Sequence, residues 1–261
     1  MAPGPKRICL SPPAPNPKPP SRCCVRCPRS RREGNPSLAK NESIMQIEIW
    51  SDIVCPWCYI GKRRFEAALA RFAQRDQAEV VWRSFELAPP APRRQEGTLA
   101  EMLEKKYRVS SEQAQAMNDR VSALAAQEGL EYRLDQAQRG NTFDAHRLIH
   151  LAAVHRLQGE VKERLLHAYF SEGRPISEVE TLVAIGEEAG LPAEEVRTML
   201  AGDRYAHEVR ADEQRASTFG IRGVPFFVID ERYGVSGAQE TAVFLSALEQ
   251  AWAETHPEPT Q

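Results

Sequence analysis

The sequence predicts an α/β fold in which a small sheet with its helices is split by a large all-helical insertion. Three observations carry this reading. An alternating strand-like stretch at 46–51 runs directly into Cys55-Pro56-Trp57-Cys58 and then a helix. A second strand is followed by helical periodicity across residues 98–220. Strand signals return at Val224, and an amphipathic helix closes the chain.

The chain's 261 residues suffice for one large domain or two small ones with a sizeable core. Hydrophobic residues at 42 % and charged residues at 27 % are ordinary globular values. The net charge of −2 conceals an asymmetry. Residues 1–44 carry nine Lys/Arg against two Glu, a net +7, which leaves −9 on residues 45–261. That acidic remainder argues against nucleic acid as a partner. The first 44 residues also hold ten of the 19 prolines and read as a disordered basic tail. Cys9, Cys23, Cys24 and Cys27 stand there without residues able to pack a metal domain around them. Met45 opens the first strand, so the plainest expectation is that the protein starts there and the tail is upstream sequence. No apolar run is long enough to span a membrane or act as a signal peptide, and a reducing cytosol is the expected location.

The elements follow in order. In residues 46–51, Ile47 and Ile49 share one face of a half-buried strand. Beyond the Cys-x-x-Cys turn, Phe65, Ala68, Leu69 and Phe72 recur at helical spacing, predicting a helix to about Ala73. Glu79 to Leu87 reads as a second strand, with Val81, Arg83, Phe85 and Leu87 on one face, ended by Pro89, Pro90 and Pro92. In the helical block, Ser110 with Gln113 and Ser177 with Glu180 spell capping boxes. Gly190-Leu191-Pro192 stops one helix and starts the next. Val224 to Ile229 is an apolar run suited to a strand covered on both faces. Asp230–Tyr233 is a turn, Gly234–Ser236 a short strand, and Phe244, Leu245, Leu248 and Trp252 mark the last helix. The expected division is therefore 45–97 with 221–255 as the α/β domain, 98–220 as the insertion, and 256–261 as a tail.

The chemistry concentrates at Cys55 and Cys58. Cys55 falls where a strand hands over to a helix, and Pro56 suits the first helical turn. The free N–H groups and positive dipole end of that helix favour an anion, so the expectation is a thiol of lowered pKa. The reading is a redox dithiol in which Cys55 attacks and Cys58 resolves. A zinc site is the alternative, but it needs four ligands, usually as two knuckles, and no second Cys or Cys/His knuckle follows residue 58. Pro225, opening an apolar strand, makes sense as a cis-proline that exposes the Val224 backbone to an extended substrate beside Cys55.

This order of elements is that of a split thioredoxin-like sheet. The segments Ser51-Asp-Ile-Val-Cys-Pro-Trp-Cys-Tyr-Ile-Gly61, Asn141-Thr-Phe-Asp-Ala-His-Arg-Leu148, Gly223-Val-Pro-Phe-Phe227 and Ser236-Gly-Ala-Gln239 resemble the DsbA-like thioredoxin-fold family, and within it the FrnE-type oxidoreductases. The resemblance spans about residues 45–253. It implies a thioredoxin fold with a helical insertion, dithiol–disulfide exchange, and Cys55 as nucleophile, Cys58 as partner and Pro225 as cis-proline. Pro56, Trp57, Val224 and Pro225 are the expected substrate contacts. Some FrnE-type members carry a further C-terminal cysteine pair, which this chain lacks. The related kappa-class glutathione transferases and hydroxychromene-carboxylate isomerases have serine where Cys55 and Cys58 stand, which makes glutathione-dependent transfer the second reading. The expected partners are thiol- or disulfide-bearing proteins or small molecules, with no membrane or nucleic acid; a homodimer is left open. No resident cofactor or metal is expected, and glutathione is a candidate co-substrate.

Softer candidates surround these. His146 and His150 have metal-compatible i, i+4 spacing but lack the intervening glutamate of a zinc-protease helix. The resemblance alone implies that Asn141 or His146 faces the site; the other reading is helix capping and surface packing. Lys62 and Arg63 either add positive potential near Cys55 or solvate a helix face. Asp52 either relays protons to Cys58 or caps a turn.

Overall fold

A computed structural model describes residues 44–255; the readings of the N-terminal tail, its four cysteines and residues 256–261 lie outside the described residues. The core of the architecture is a four-stranded sheet in the order β2-β1-β3-β4. Strand β1 (Met45–Ser51) pairs parallel with β2 (Ala78–Ser84) and antiparallel with β3 (Phe226–Ile229), which pairs antiparallel with β4 (Tyr233–Ser236). Helix α1 (Pro56–Arg71) makes the β1-to-β2 crossover that a parallel pair requires. Seven helices stand between β2 and β3: α2 (Leu99–Tyr107), α3 (Ser111–Gln127), α4 (Phe143–Val154), α5 (Gln158–Phe170), α6 (Val179–Glu188), α7 (Ala193–Ala201) and α8 (Ala206–Thr218). Helix α9 (Thr241–Thr255) ends the described chain. No helix among the described residues is long and apolar enough to cross a membrane.

The sheet is covered on both faces, as the unbroken apolar run of β3 requires. Phe227 and Ile229 enter the main core, while Phe226 and Val228 pack on the other side with Trp50, Ala216 and Ile221. Helices α1 and α9 lie against each other, and Phe65 packs its ring 5.3 Å from Phe227 and 5.8 Å from Phe244. The helical insertion does not form a separate core. One cluster runs from Ile47, Ile49 and Tyr59 into Leu148, Leu165, Leu166 and Phe170 of α4 and α5.

Three sequence expectations change in physical detail. Strand β2 stops at Ser84 instead of Leu87, because the N–H groups beyond it are taken by carboxylates: Glu86 N by Glu213 and Leu87 N by Asp52. Its Val81 and Arg83 face is half-buried, and Trp82 and Ser84 form the buried one. Strand β3 begins at Phe226, two residues after the start of the apolar run. The capping box at Ser110 and Gln113 is present, as is one at Thr98 and Glu101, but Ser177 and Glu180 do not form one. Ser177 is buried against Gly140, where an added Cβ would meet its hydroxyl at 2.6 Å, and α6 starts at Val179 with no side-chain cap. Gly190, at φ +98°, ends α6 as expected.

The loop before β3 is fixed by its packing on α1. The Val224–Pro225 peptide is cis, and a Cβ on Gly61 would stand 3.0 Å from Pro225 Cγ and 3.4 Å from the Ala238 backbone. Gly61 therefore lets α1 approach that loop more closely than any side chain permits. Gly61→Val should force these groups apart and lower stability by about 1–3 kcal/mol, read as a reduced urea midpoint. An unchanged midpoint would show that the loop yields at no cost.

Candidate active site

Cys55 is the N-cap residue of α1, and Pro56 follows at the first helical position, where a missing N–H costs nothing. Both cysteines are free thiols and buried. The Cys58 N–H donates to the Cys55 carbonyl at 2.9 Å, closing the turn, and the Cys55 thiol donates to the Val224 carbonyl at 3.5 Å. The structure thus brings together four of the expected site residues: Cys55, Cys58, Val224 and, through the same loop, Pro225. Pro56 is half-buried, its carbonyl accepting from the Tyr132 hydroxyl at 2.7 Å. Trp57 projects outward with 43 % of its surface exposed, beside otherwise enclosed sulfurs. A groove lined by Arg222, Gly223, Val224, Pro225, Phe226 and Ser236 runs along the loop next to Cys55.

The electrostatics correct one expectation. The helix start favours a Cys55 thiolate, yet its thiol is held well above the ordinary value. A hydrogen bond with Cys58 is the largest cause, burial the next, and negative charge at Cys58 and Asp52 adds to it. Two sulfurs side by side in a dry site resist a second anion.

Asp52 is fully buried three residues before Cys55. Burial works to raise its pKa, but His146, the Leu87 N–H and Lys162 together hold it below the ordinary carboxylate value. Its oxygens accept from Ile53 N at 2.7 Å and Leu87 N at 2.7 Å, and Nε2 of His146 lies 3.3 Å away. Asp52 thus both caps its turn and stands as a fixed negative charge beside the dithiol. His146 reaches the site only through Asp52, and its Nδ1 is buried without a partner. His150 points elsewhere, to Ser84 and Asp212, each at 3.1 Å, so the two histidines do not converge. Among the described residues no cluster of three or more His, Cys, Asp or Glu side chains is placed to hold a metal. Asn141 accepts from Phe143 N at the start of α4 and donates to Glu86 at 3.3 Å.

Lys62 and Arg63 do not supply free positive potential. Both bind Glu163 of α5, Lys62 at 2.5 Å, and the Tyr59 hydroxyl donates to the same carboxylate at 2.6 Å. Burial opposes the Glu163 charge, but Arg63, Lys62 and Tyr59 pull its pKa down to about 2.

Sequence reasoning missed Glu163, Tyr132 and above all Lys162. Lys162 is buried to 1 % exposure on α5, donating to the Ser51 carbonyl at 3.3 Å with its ammonium 5.6 Å from the Trp82 ring. A signal existed: Val161, Leu165, Leu166 and Tyr169 mark the buried stripe of this helix, and Lys162 sits within it. Desolvation lowers the amine to about 8, although Cys58, Asp52 and Cys55 oppose that fall. Since the unfolded amine titrates near 10.5, the unfolded chain binds more protons between about pH 8 and 10.5. Stability should therefore rise with pH across that window. Lys162→Met should add on the order of 2 kcal/mol at pH 7, the usual direction when a buried charge gives way to a hydrophobe. That gain should shrink above pH 8, as denaturant titrations at several pH values would read; a gain independent of pH would contradict the assignment of the buried charge.

Comparison with known proteins agrees with this geometry. The model of the DSBA-like thioredoxin domain matches residues 46–249. The crystal structure of a probable DsbA oxidoreductase from Streptomyces coelicolor is 50 % identical, covers 83 % of this chain and 94 % of its own, and superposes with a TM-score of 0.79. The uncharacterised protein YwbO of Bacillus subtilis is 27 % identical over 208 residues, which is 78 % of this chain and 96 % of that protein. A putative protein disulfide isomerase from Nitrosomonas europaea shares the fold at 15 % identity and a TM-score of 0.62, covering 82 % of this chain and 99 % of that one.

Proposed function

We infer the reaction from the premise that this chain belongs to the DSBA-like thioredoxin domain family: it is a thiol–disulfide oxidoreductase that works through Cys55 and Cys58. The observation that carries the reading is the Cys55 thiol at the start of α1, turned onto the Val224 carbonyl, with a second thiol one helical turn deeper. In exchange, the Cys55 sulfur attacks a substrate disulfide, a mixed disulfide forms, and Cys58 displaces it as the Cys55–Cys58 bond closes. Val224, Pro225 and the exposed Trp57 form the rim on which a substrate segment would lie, its backbone pairing with that of Val224. The 50 % identical Streptomyces relative, described as a probable DsbA oxidoreductase, supports the same reaction class.

The direction of exchange is set by the reduction potential of the pair against that of its compartment. In a reducing compartment such as the cytosol, glutathione or another thiol would restore the dithiol. No resident cofactor enters the step.

Cys55→Ser should abolish disulfide exchange, because a hydroxyl is too weakly acidic to replace the thiolate. Cys58→Ser should instead accumulate mixed disulfides with substrate, visible by mass spectrometry after acid quenching. Glutathione conjugation to electrophiles at wild-type rate by both variants would favour the transferase reading, and one tightly held zinc lost on oxidation would favour a metal-binding module. The raised Cys55 thiol makes a further prediction. Attack on a small disulfide should still be accelerating with pH at pH 9, since only the thiolate reacts; a plateau below pH 7 would refute it.

A further inference from the structure

The stretch of the insertion that follows α3 sets one polar atom on the dithiol turn. The Tyr132 hydroxyl donates to the Pro56 carbonyl at 2.7 Å. Pro56 stands between the two cysteines as the first residue of α1. Its carbonyl is already due a bond from the N–H four residues on. A carbonyl oxygen has two lone pairs, so the tyrosine can add a second donor. The hydroxyl is held in aim from several sides. Its ring stacks 4.7 Å from Phe170 and 6.2 Å from Tyr59, each at 21°. Its chain neighbours are tied to the end of α5: Arg133 N donates to the Phe170 carbonyl at 2.7 Å, and the Ser171 hydroxyl donates to the Glu131 carbonyl at 2.6 Å. Burial, then charge at Cys55, Tyr59 and Cys58, holds the phenol well above its ordinary value, so the proton stays on the oxygen.

The first turn of α1 has few N–H groups to offer an anion. Pro56 has none, and the Cys58 N–H is spent on the Cys55 carbonyl at 2.9 Å. A residue at the N-cap accepts through its side chain from the second or third N–H of the helix. Of these two, the Trp57 N–H is the one left for the Cys55 sulfur. As a thiol, Cys55 takes no such bond and donates to the Val224 carbonyl instead. As a thiolate it has no proton to donate and becomes an acceptor. The Trp57 N–H belongs to the same peptide unit as the Pro56 carbonyl. A donor on that carbonyl polarises the unit and strengthens its N–H, as in any chain of hydrogen bonds.

We propose that Tyr132 is a positioning residue for the attack step: acting through the Pro56–Trp57 peptide, its hydroxyl sets the orientation and donor strength of the N–H that receives the Cys55 thiolate. The proposal rests on the exchange reading above. In that step Cys55 releases its proton to solvent, and its sulfur attacks one sulfur of the substrate disulfide. The Cys55–substrate bond forms as the substrate S–S bond breaks. The second substrate sulfur leaves with the electron pair and takes a proton from solvent. Negative charge is thus present on the Cys55 sulfur before attack and spreads over three sulfurs during it. A stronger donor raises the share of thiolate available at neutral pH. The insertion, through Tyr132, thereby tunes a turn that belongs to the sheet domain.

The test grades donor strength at this one position of the full chain. Tyr132→Phe removes the hydroxyl and keeps the ring stack. Tyr132→fluorotyrosine keeps both and makes the phenol a stronger donor. Each protein is alkylated with iodoacetamide at pH 7 and, separately, mixed with oxidised glutathione and quenched in acid. Mass spectrometry follows the product at Cys55 in both reactions. Both rates should fall by about threefold in Tyr132→Phe and rise above wild type with fluorotyrosine. Unchanged rates in Tyr132→Phe would overturn the proposal. So would a fluorotyrosine protein no faster than wild type, since the hydroxyl would then only hold the turn in place. If Tyr132→Phe does not fold, the fluorotyrosine comparison decides alone. Alkylation involves no disulfide, so the two readings fail separately. A wild type that alkylates at Cys55 but forms no mixed disulfide refutes the exchange reading, whereas normal exchange that ignores the Tyr132 series refutes only the role of Tyr132.

Discussion

The buried carboxylate of Asp52 is the interaction on which the site depends. Its oxygens accept from Ile53 N and Leu87 N and face His146, so one side chain ties the β1–α1 turn to the exit from β2 and to a helix of the insertion. Each is a hydrogen bond to a charged group out of water, stronger than a neutral one and costly to leave unmade. The turn that carries Cys55 therefore has its geometry fixed from three directions before any substrate arrives. The same charge adds to the Cys58 hydrogen bond and to burial in holding the Cys55 thiol above its ordinary value.

The helical insertion completes this environment. Helix α5 contributes two adjacent residues of opposite purpose. Glu163 neutralises Lys62 and Arg63 and anchors the Tyr59 hydroxyl, locking α1 against the insertion. Lys162 turns the other way, into the protein, toward the Ser51 carbonyl at the end of β1. A continuous apolar cluster beneath both makes the arrangement rigid. Two neighbouring positions on one helix thus set the local field: one removes positive charge from the surface side of α1, and the other supplies it from within.

The opposite wall is backbone. The Val224–Pro225 loop is held by close packing on Gly61 and by Gly237 N donating to the Pro225 carbonyl at 2.8 Å. Its Val224 carbonyl meets Cys55. One side of the sulfur is thus defined by fixed charges and the other by a main-chain edge.

Much of this was written in the chain locally. Alternation at Ile47 and Ile49, the helical spacing from Phe65 to Phe72, the apolar run ending at Ile229 and the Cys-Pro-Trp-Cys turn placed the sheet, α1 and the dithiol, because strand and helix periodicity and cysteine spacing are properties of neighbouring residues. The local rules failed where distant groups competed for a backbone or a side chain. β2 ended early because Asp52 and Glu213 took its next N–H groups, and Ser177 left its capping role for a contact with Gly140. The acidity of Cys55 could not be judged from its helix position alone, since the neighbouring Cys58 opposes it and burial by residues far along the chain adds to that. Sequence determined which atoms can do the chemistry; tertiary structure decided their charge state, because desolvation and Coulomb energies depend on distances that only folding sets.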